Sequence, residues 1–204
     1  MDYGPAVEYL NYPTYETVKD TPYTYPGTNI KVENFDNKFD GNMTMQKALV
    51  ESRNVPAVRT LSAVGIGRAT DFLSGLGMTF KKPLTLQNGL GAYVSTEQEA
   101  AAFSAFSNGG TYYKPYTIDK VVTPTGDIEN FSTKSNQAMS ASTAFIMTQM
   151  LKGVINNSDG SATSARISGL NQAGKSGQTQ YPSEWISKVP YNSDMDAWFT
   201  GYTK

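Results

Sequence analysis

Two short runs hold the residues best suited to chemistry. Lys175-Ser176-Gly177 lies inside Ala173–Gln180, a run with strand character, and places a cation, a hydroxyl and a residue without a side chain in succession. On a strand lining a carbonyl site, the lysine holds an anionic group, the hydroxyl donates hydrogen bonds and the glycine lets a substrate backbone approach closely. The edge of such a strand can also pair with an extended peptide through backbone hydrogen bonds. Lys-Ser-Gly is common in loops as well, so the tripeptide alone decides nothing. The second run is Ser52-Arg53-Asn54, in a turn between two helical segments. Its hydroxyl and amide can point the same way, one relaying a proton and the other binding a peptide carbonyl. Ser52 can equally do no more than cap the helix that follows.

Composition narrows the choice. The 204 residues contain no histidine and no cysteine, which excludes a Ser-His-Asp triad, a thiol nucleophile, a Cys/His zinc site and a disulfide framework. Catalysis must therefore use Ser, Thr, Tyr, Lys, Arg, Asp or Glu. A formal net charge of -1 gives no electrostatic case for nucleic acid or an anionic membrane as partner. No apolar run reaches the roughly 18 residues that would span a bilayer, and the first residues do not form a signal peptide. A cysteine-free chain suits a protein exported to an uncertain redox environment; its export signal would then lie elsewhere. Asp194 and Asp196 resemble a metal pair but begin a strand and lack further ligands, so no metal or other cofactor is expected. Met147 and Met150 are assigned to a helix core.

The elements that must carry the two runs follow from periodicity and punctuation. Residues 2–10 read as the end of a helix. Residues 11–40, rich in Tyr, Pro, Asn and Asp, read as a long ordered excursion with one short hairpin, held by aromatic contacts; a flexible linker rarely carries so many tyrosines. Thr44 starts a helix ending near Ser52, and a second is expected from about Pro56 to Val64, with proline at its start. A third covers about Arg68 to Leu76, with Gly77 as C-cap. Ser95 to Asn108 forms a helix opened by a Ser95/Gln98 capping box. Strands are expected at Tyr116–Thr123 and Ile128–Phe131. Ser140 caps a long helix to about Ile155, with Thr143 where Glu or Gln is usual, and strands at Ala173–Gln180 and Asp196–Thr203 close the chain. The order predicts an α+β fold, a helical cluster packed against an antiparallel sheet, with both ends of the chain looking cut.

The two runs together, about 120 residues apart, resemble the second and third elements of penicillin-recognising serine enzymes, whose set is Ser-x-x-Lys, a Ser-x-Asn-type turn and Lys-Ser/Thr-Gly. Their surroundings sharpen the likeness. Met43-Thr44-Met45-Gln46-Lys47-Ala48-Leu49 before Ser52-Arg53-Asn54-Val55-Pro56-Ala57-Val58 is similar to the helix–turn–helix of class A penicillin-binding proteins, in wording closest to the streptococcal type. So are Ala105-Phe106-Ser107-Asn108-Gly109-Gly110-Thr111-Tyr112-Tyr113-Lys114-Pro115 and Ala197-Trp198-Phe199-Thr200-Gly201-Tyr202.

That resemblance implies a penicillin-binding, β-lactamase-like transpeptidase fold covering residues 1–204 as one partial domain. It implies serine acyl transfer on D-Ala-D-Ala stem peptides of peptidoglycan. Ser52 and Lys175 would handle protons, and Asn54 would hydrogen-bond the substrate amide. Ser176 and Thr179, beside Gly177, would line the carboxylate pocket, and the Gln178 N–H would supply half of the oxyanion hole. Implied partners are stem peptides, β-lactams and other cell-wall synthesis proteins, at the outer face of the bacterial cytoplasmic membrane and within a membrane-anchored parent. Two departures stand out. Gln178 occupies a place where Thr or Ser is usual, removing a hydroxyl that would bind the carboxylate. No serine is followed three positions later by lysine, so the nucleophile pair is expected upstream of Asp2, and the 204 residues alone are expected not to be acylated. A non-catalytic wall-binding module, a β-lactam sensor and a β-lactamase remain the alternatives.

Overall fold

Three of the described helix starts are set by short polar side chains, as the punctuation predicts. In the computed structural model, which describes residues 2–190 and 194–203, α1 (Tyr3–Leu10) closes on Asn11, a left-handed residue whose N–H bonds to the Ala6 carbonyl. The Thr44 hydroxyl accepts from the Lys47 N–H to open α2 (Met45–Val50). Next come α3 (Asn54–Val64) and α4 (Ile66–Gly75). Both bonds of the Ser95/Gln98 box open α5 (Thr96–Ser107), and the Ser140 hydroxyl accepts from the Thr143 N–H at the head of α6 (Ala141–Asn156). A single turn, α7 (Ser183–Ile186), lies in the last long connection.

Among the described residues the strands form five antiparallel two-stranded ribbons. β1 (Thr17–Asp20) pairs with β4 (Gly41–Thr44), and inside that ribbon β2 (Tyr23–Thr24) pairs with β3 (Lys31–Val32). β5 (Thr111–Tyr113) pairs with β8 (Ser135–Gln137), enclosing the pair β6 (Lys120–Val122) and β7 (Ile128–Asn130). β9 (Gln172–Gln180) and β10 (Asp194–Thr203) form the longest ribbon, with Trp198 opposite Gly177 and Thr200 opposite Lys175. The expected α+β class therefore holds.

Three sequence expectations need correction. The excursion contains two nested hairpins, running on to Thr44, and not one. The second helix starts at Asn54, with Pro56 at its third position, where the missing proline N–H is still no loss because helix N-termini leave those donors unpaired. The β5–β8 ribbon was not foreseen, because three-residue strands leave too little alternation to detect.

One apolar cluster ties α1, α2, α3 and α6 together through Ala6, Val7, Met45, Ala48, Leu61, Met150, Leu151 and Val154, all nearly or fully buried. Each buried Leu, Val or Met side chain contributes about 1.5–3 kcal/mol before the entropy cost of ordering. A second cluster joins α4, α5 and the start of α6 through Phe72, Leu73, Ala102, Ala105 and Ala144. A third, Tyr25, Val32, Val55 and Val58, fastens the excursion to α3. The result fixes the α2–α3 turn from two sides.

Candidate functional site

Ser52 sits at the exit of α2 in a left-handed conformation, φ 58°, which non-glycine residues seldom adopt. The helix imposes it: the Ser52 N–H donates to the Leu49 carbonyl and the Arg53 N–H to the Ala48 carbonyl, which turns the chain back on itself. That geometry carries the hydroxyl to β9. Lys175 Nζ donates to Ser52 Oγ at 2.7 Å, joining residues 123 apart in sequence, and to the Ser176 carbonyl at 2.9 Å. Burial pushes the Lys175 amine down to about 8, against the opposing pull of the Asp2 carboxylate. An amine in that range is neutral in roughly a tenth of molecules near pH 7, enough to accept and return protons.

Asn54 is the first residue of α3, and one of its two side-chain N–H groups is committed to the Glu33 carbonyl at 2.8 Å. Its second N–H leaves a donor for a ligand carbonyl. Ser52, Asn54, Lys175, Ser176, Gly177 and Gln178 all line one cleft of about 380 Å³, together with Asp2, Tyr3 and the Asn88–Ala92 loop. Thr179 follows on the exposed end of β9 and does not line the cleft. The Gln178 side chain reaches sideways, its Nε2 donating to Asp194 Oδ2 at 2.9 Å on the neighbouring strand. Among the described residues β10 is the only strand partner of β9, so the other edge is open to an extended ligand. A second hollow of about 370 Å³, between α5, α6 and β10, contains none of the predicted residues. No group of acidic side chains among the described residues could hold a metal ion.

Sequence reasoning missed what lies behind the turn. Arg53, between Ser52 and Asn54, is 3% exposed. Its guanidinium meets Asp20 at 2.7 Å, Asp36 at 3.0 Å and the Lys38 carbonyl at 2.7 Å, with Asp40 at 3.6 Å. Burial alone would make Arg53 easier to deprotonate, but the bonds to Asp20 and Asp36 outweigh it and raise its pKa. Asp36 is held below its usual range, first by the Lys38 N–H and then by Arg53. Asn34, also buried, donates to Asp20 at 2.7 Å and accepts from the Asn54 and Val55 backbone N–H groups at 2.9 and 3.2 Å. The excursion is thus held by this polar network together with aromatic contacts: Tyr25 is buried in the third cluster and Tyr23 packs edge-on against it and beneath Arg59, whereas Tyr15 and Phe35 are mostly exposed. The available signal was an arginine at the centre of the turn and three aspartates at 20, 36 and 40.

Comparison with known proteins identifies the family and the fold. Residues 6–204 match the family described as penicillin binding protein transpeptidase domain. The chain is 44% identical over 216 residues to penicillin-binding protein 1A of Streptococcus pneumoniae, and 35% identical over 211 residues to penicillin-binding protein 1A/1B of Bacillus subtilis. All of the chain is covered in both, but it spans only 30% and 23% of those relatives' lengths. Among solved structures it resembles the penicillin-binding protein PonA1 of Mycobacterium tuberculosis, with a TM-score of 0.82 at 21% identity, covering 98% of this chain and 55% of that one. It also resembles a ceftriaxone acyl-enzyme complex of penicillin-binding protein A from the same organism, with a TM-score of 0.81 at 16% identity, covering 99% and 49%.

Proposed function

Because the chain belongs to the penicillin-binding protein transpeptidase domain family, we propose that it forms the substrate-gripping part of a peptidoglycan D,D-transpeptidase. The observation that carries this reading is the 2.7 Å hydrogen bond from Lys175 Nζ to Ser52 Oγ. It joins the two candidate runs at the wall of a cleft beside an open strand edge. In acyl transfer, a serine attacks the carbonyl of a D-Ala-D-Ala stem peptide, D-alanine leaves, and an amine on a neighbouring strand takes the acyl group. β-Lactams mimic the peptide and leave the acyl group on the serine.

The proton work falls to Ser52 and Lys175. The leaving amine needs a proton and the attacking amine must lose one, and an amine titrating near 8 beside a hydroxyl can do both. Asn54 offers its second amide N–H to the stem-peptide carbonyl, and β9 offers its backbone along Ser176-Gly177-Gln178. A Gln178 N–H directed at the attacked carbonyl would stabilise the developing oxyanion. Ser176 and the lysine charge receive the terminal carboxylate; Thr179 contributes only if a ligand extends past the cleft. The parent enzyme would work at the outer face of the cytoplasmic membrane, on the growing wall.

No serine in these residues has a lysine three positions on, so the nucleophile is supplied by sequence outside them. A non-catalytic wall-binding module is the second reading, and that same missing pair is what favours it. Incubation with a fluorescent penicillin, followed by denaturing electrophoresis and intact mass, separates the outcomes. The 204 residues are expected to show no adduct, whereas the chain extended upstream in its gene shows one per molecule, lost when the Ser of an upstream Ser-x-x-Lys is replaced. An adduct on the 204 residues would overturn the nucleophile assignment; none on the extended chain would favour the binding module.

A further inference from the structure

Backbone bonds to the Leu49 and Ala48 carbonyls close the Ser52 turn onto α2, but no local side chain fixes it at the head of α3. Its serine is in a left-handed conformation, and the residue at the N-cap of α3, Arg53, makes no capping hydrogen bond from its side chain. Both functions are supplied by the excursion that precedes α2. Asn34 Oδ1 accepts the first two backbone N–H groups of α3, and Pro56 has none to offer. Arg53 is drawn inward onto Asp20, which is itself fully buried and receives hydrogen bonds from Asn34 and from the Asp40 N–H. The guanidinium also bridges to Asp36 and the Lys38 carbonyl, so it closes the β1–β4 ribbon around the turn.

We infer that Arg53, Asp20 and Asn34 are positioning residues which, clamped by Asp36, fix the Ser52 turn against Lys175. This rests on the transpeptidase reading of the Ser52–Lys175 pair. Arg53 points away from that hydrogen bond, one residue beyond Ser52, and acts through the backbone. A non-glycine residue at φ near +58° keeps that conformation only where its surroundings over-determine it. With the arginine withdrawn, the Ser52 hydroxyl leaves the amine and water enters between them. The amine then loses an acceptor and gains hydration, and the second effect dominates because burial is the main cause of its lowered pKa.

The test follows the unmodified Lys175 amine, in the full chain, by incorporating isotope-labelled lysine and titrating the Cε signals by NMR. The Lys175→Arg variant assigns the resonance. In the unsubstituted chain its midpoint is expected near 8, below the ordinary 10.5 of a lysine amine. Arg53→Met is expected to move it upward by about one pH unit as hydration returns, and to speed amide exchange at Asn54 and Val55 at least tenfold. Arg53→Lys, which keeps the charge on Asp20 but loses the fork to Asp36, falls between. Asp36→Asn leaves the buried pair intact and serves where Arg53→Met does not fold; a smaller upward shift is expected. A substitution that only weakened the fold as a whole would leave the native-state midpoint where it is. Unchanged midpoints and exchange in the folded variants would overturn the positioning role. A Lys175 resonance titrating with the other lysines in the unsubstituted chain would instead overturn the site on which it rests.

Discussion

Replacing Lys175 by methionine separates the stability of the fold from the chemistry of the site. In the folded chain the amine titrates near 8, and its ordinary value is 10.5, because burial disfavours its charge. Between those values the unfolded chain binds more protons than the folded one, so stability must rise with pH across that window. Below it, both states are protonated and the fold carries the full cost of the buried charge. A shift of that size corresponds to about 3 kcal/mol at roughly 1.4 kcal/mol per pH unit. Part of the side chain is exposed, which reduces the figure to about 2 kcal/mol. Methionine keeps the length, removes the charge and forfeits two hydrogen bonds, to Ser52 Oγ and the Ser176 carbonyl, each worth about 0.5–1.5 kcal/mol. Lys175→Met is therefore expected to lie within about 1 kcal/mol of the native chain near pH 7, and to lose roughly a further 1 kcal/mol relative to it near pH 9.5. Urea unfolding at several pH values reads the difference, and staying below about pH 10 avoids the buried Tyr3 and Tyr202, whose pKa values are raised by burial. A difference between the two chains that did not change with pH would refute the reasoning, since no other substituted group could hide the titration.

Arg53→Met leaves Asp20 buried without its cation and is expected to cost about 3–5 kcal/mol in urea unfolding, with Arg53→Met/Asp20→Asn recovering part of the loss. Glu8 accepts from the Ser140 N–H and hydroxyl at the head of α6; burial would raise its carboxyl, but bonds from Thr143 and Ser140 outweigh it and hold it lower. Because that pKa is depressed, the contribution is full above the unfolded value of 4.5 and fades as pH falls through the folded one, so Glu8→Gln should cost about 1 kcal/mol near pH 7 and little in acid. Gly27 and Gly77 share a φ of 74°, but an added Cβ meets nothing at Gly27 and overlaps the Tyr112 ring at Gly77. Gly27→Ala is expected to cost about 1 kcal/mol and Gly77→Ala about 3 kcal/mol or more, measured by thermal unfolding.

Much of the molecule was legible because its signals are local. Thr44, Ser95 and Ser140 mark helix starts within three residues of the bonds they make, and the Ser95/Gln98 box forms as written. Lys175 and Ser52 could be picked out because proton transfer admits few side chains in a chain without histidine or cysteine. Their meeting across 123 residues is a property of the fold, and the likeness to known transpeptidases, not periodicity, pointed to it. The Gln178 side chain illustrates the limit: its bond to Asp194 depends on a strand register that no pattern in the sequence specifies.

The two places where the expected local cap is missing explain what stayed hidden. Arg53 stands at the head of α3 without capping it, and Thr143 stands where a glutamate would close the box on α6. In each case the missing acceptor comes from a distant element: Asn34 in the excursion for α3, and Glu8 on α1 for α6. A helix end needs its donors satisfied, but physics does not require the partner to be near in sequence. Supplying it from afar couples elements that a local cap would leave independent. For α6 the coupling pins α1 to the helix beneath β9; for α3 it makes the geometry of Ser52 depend on the whole 17–44 ribbon. A local departure from capping rules is thus a pointer to long-range fixation, and here one of the two lies one residue from Ser52.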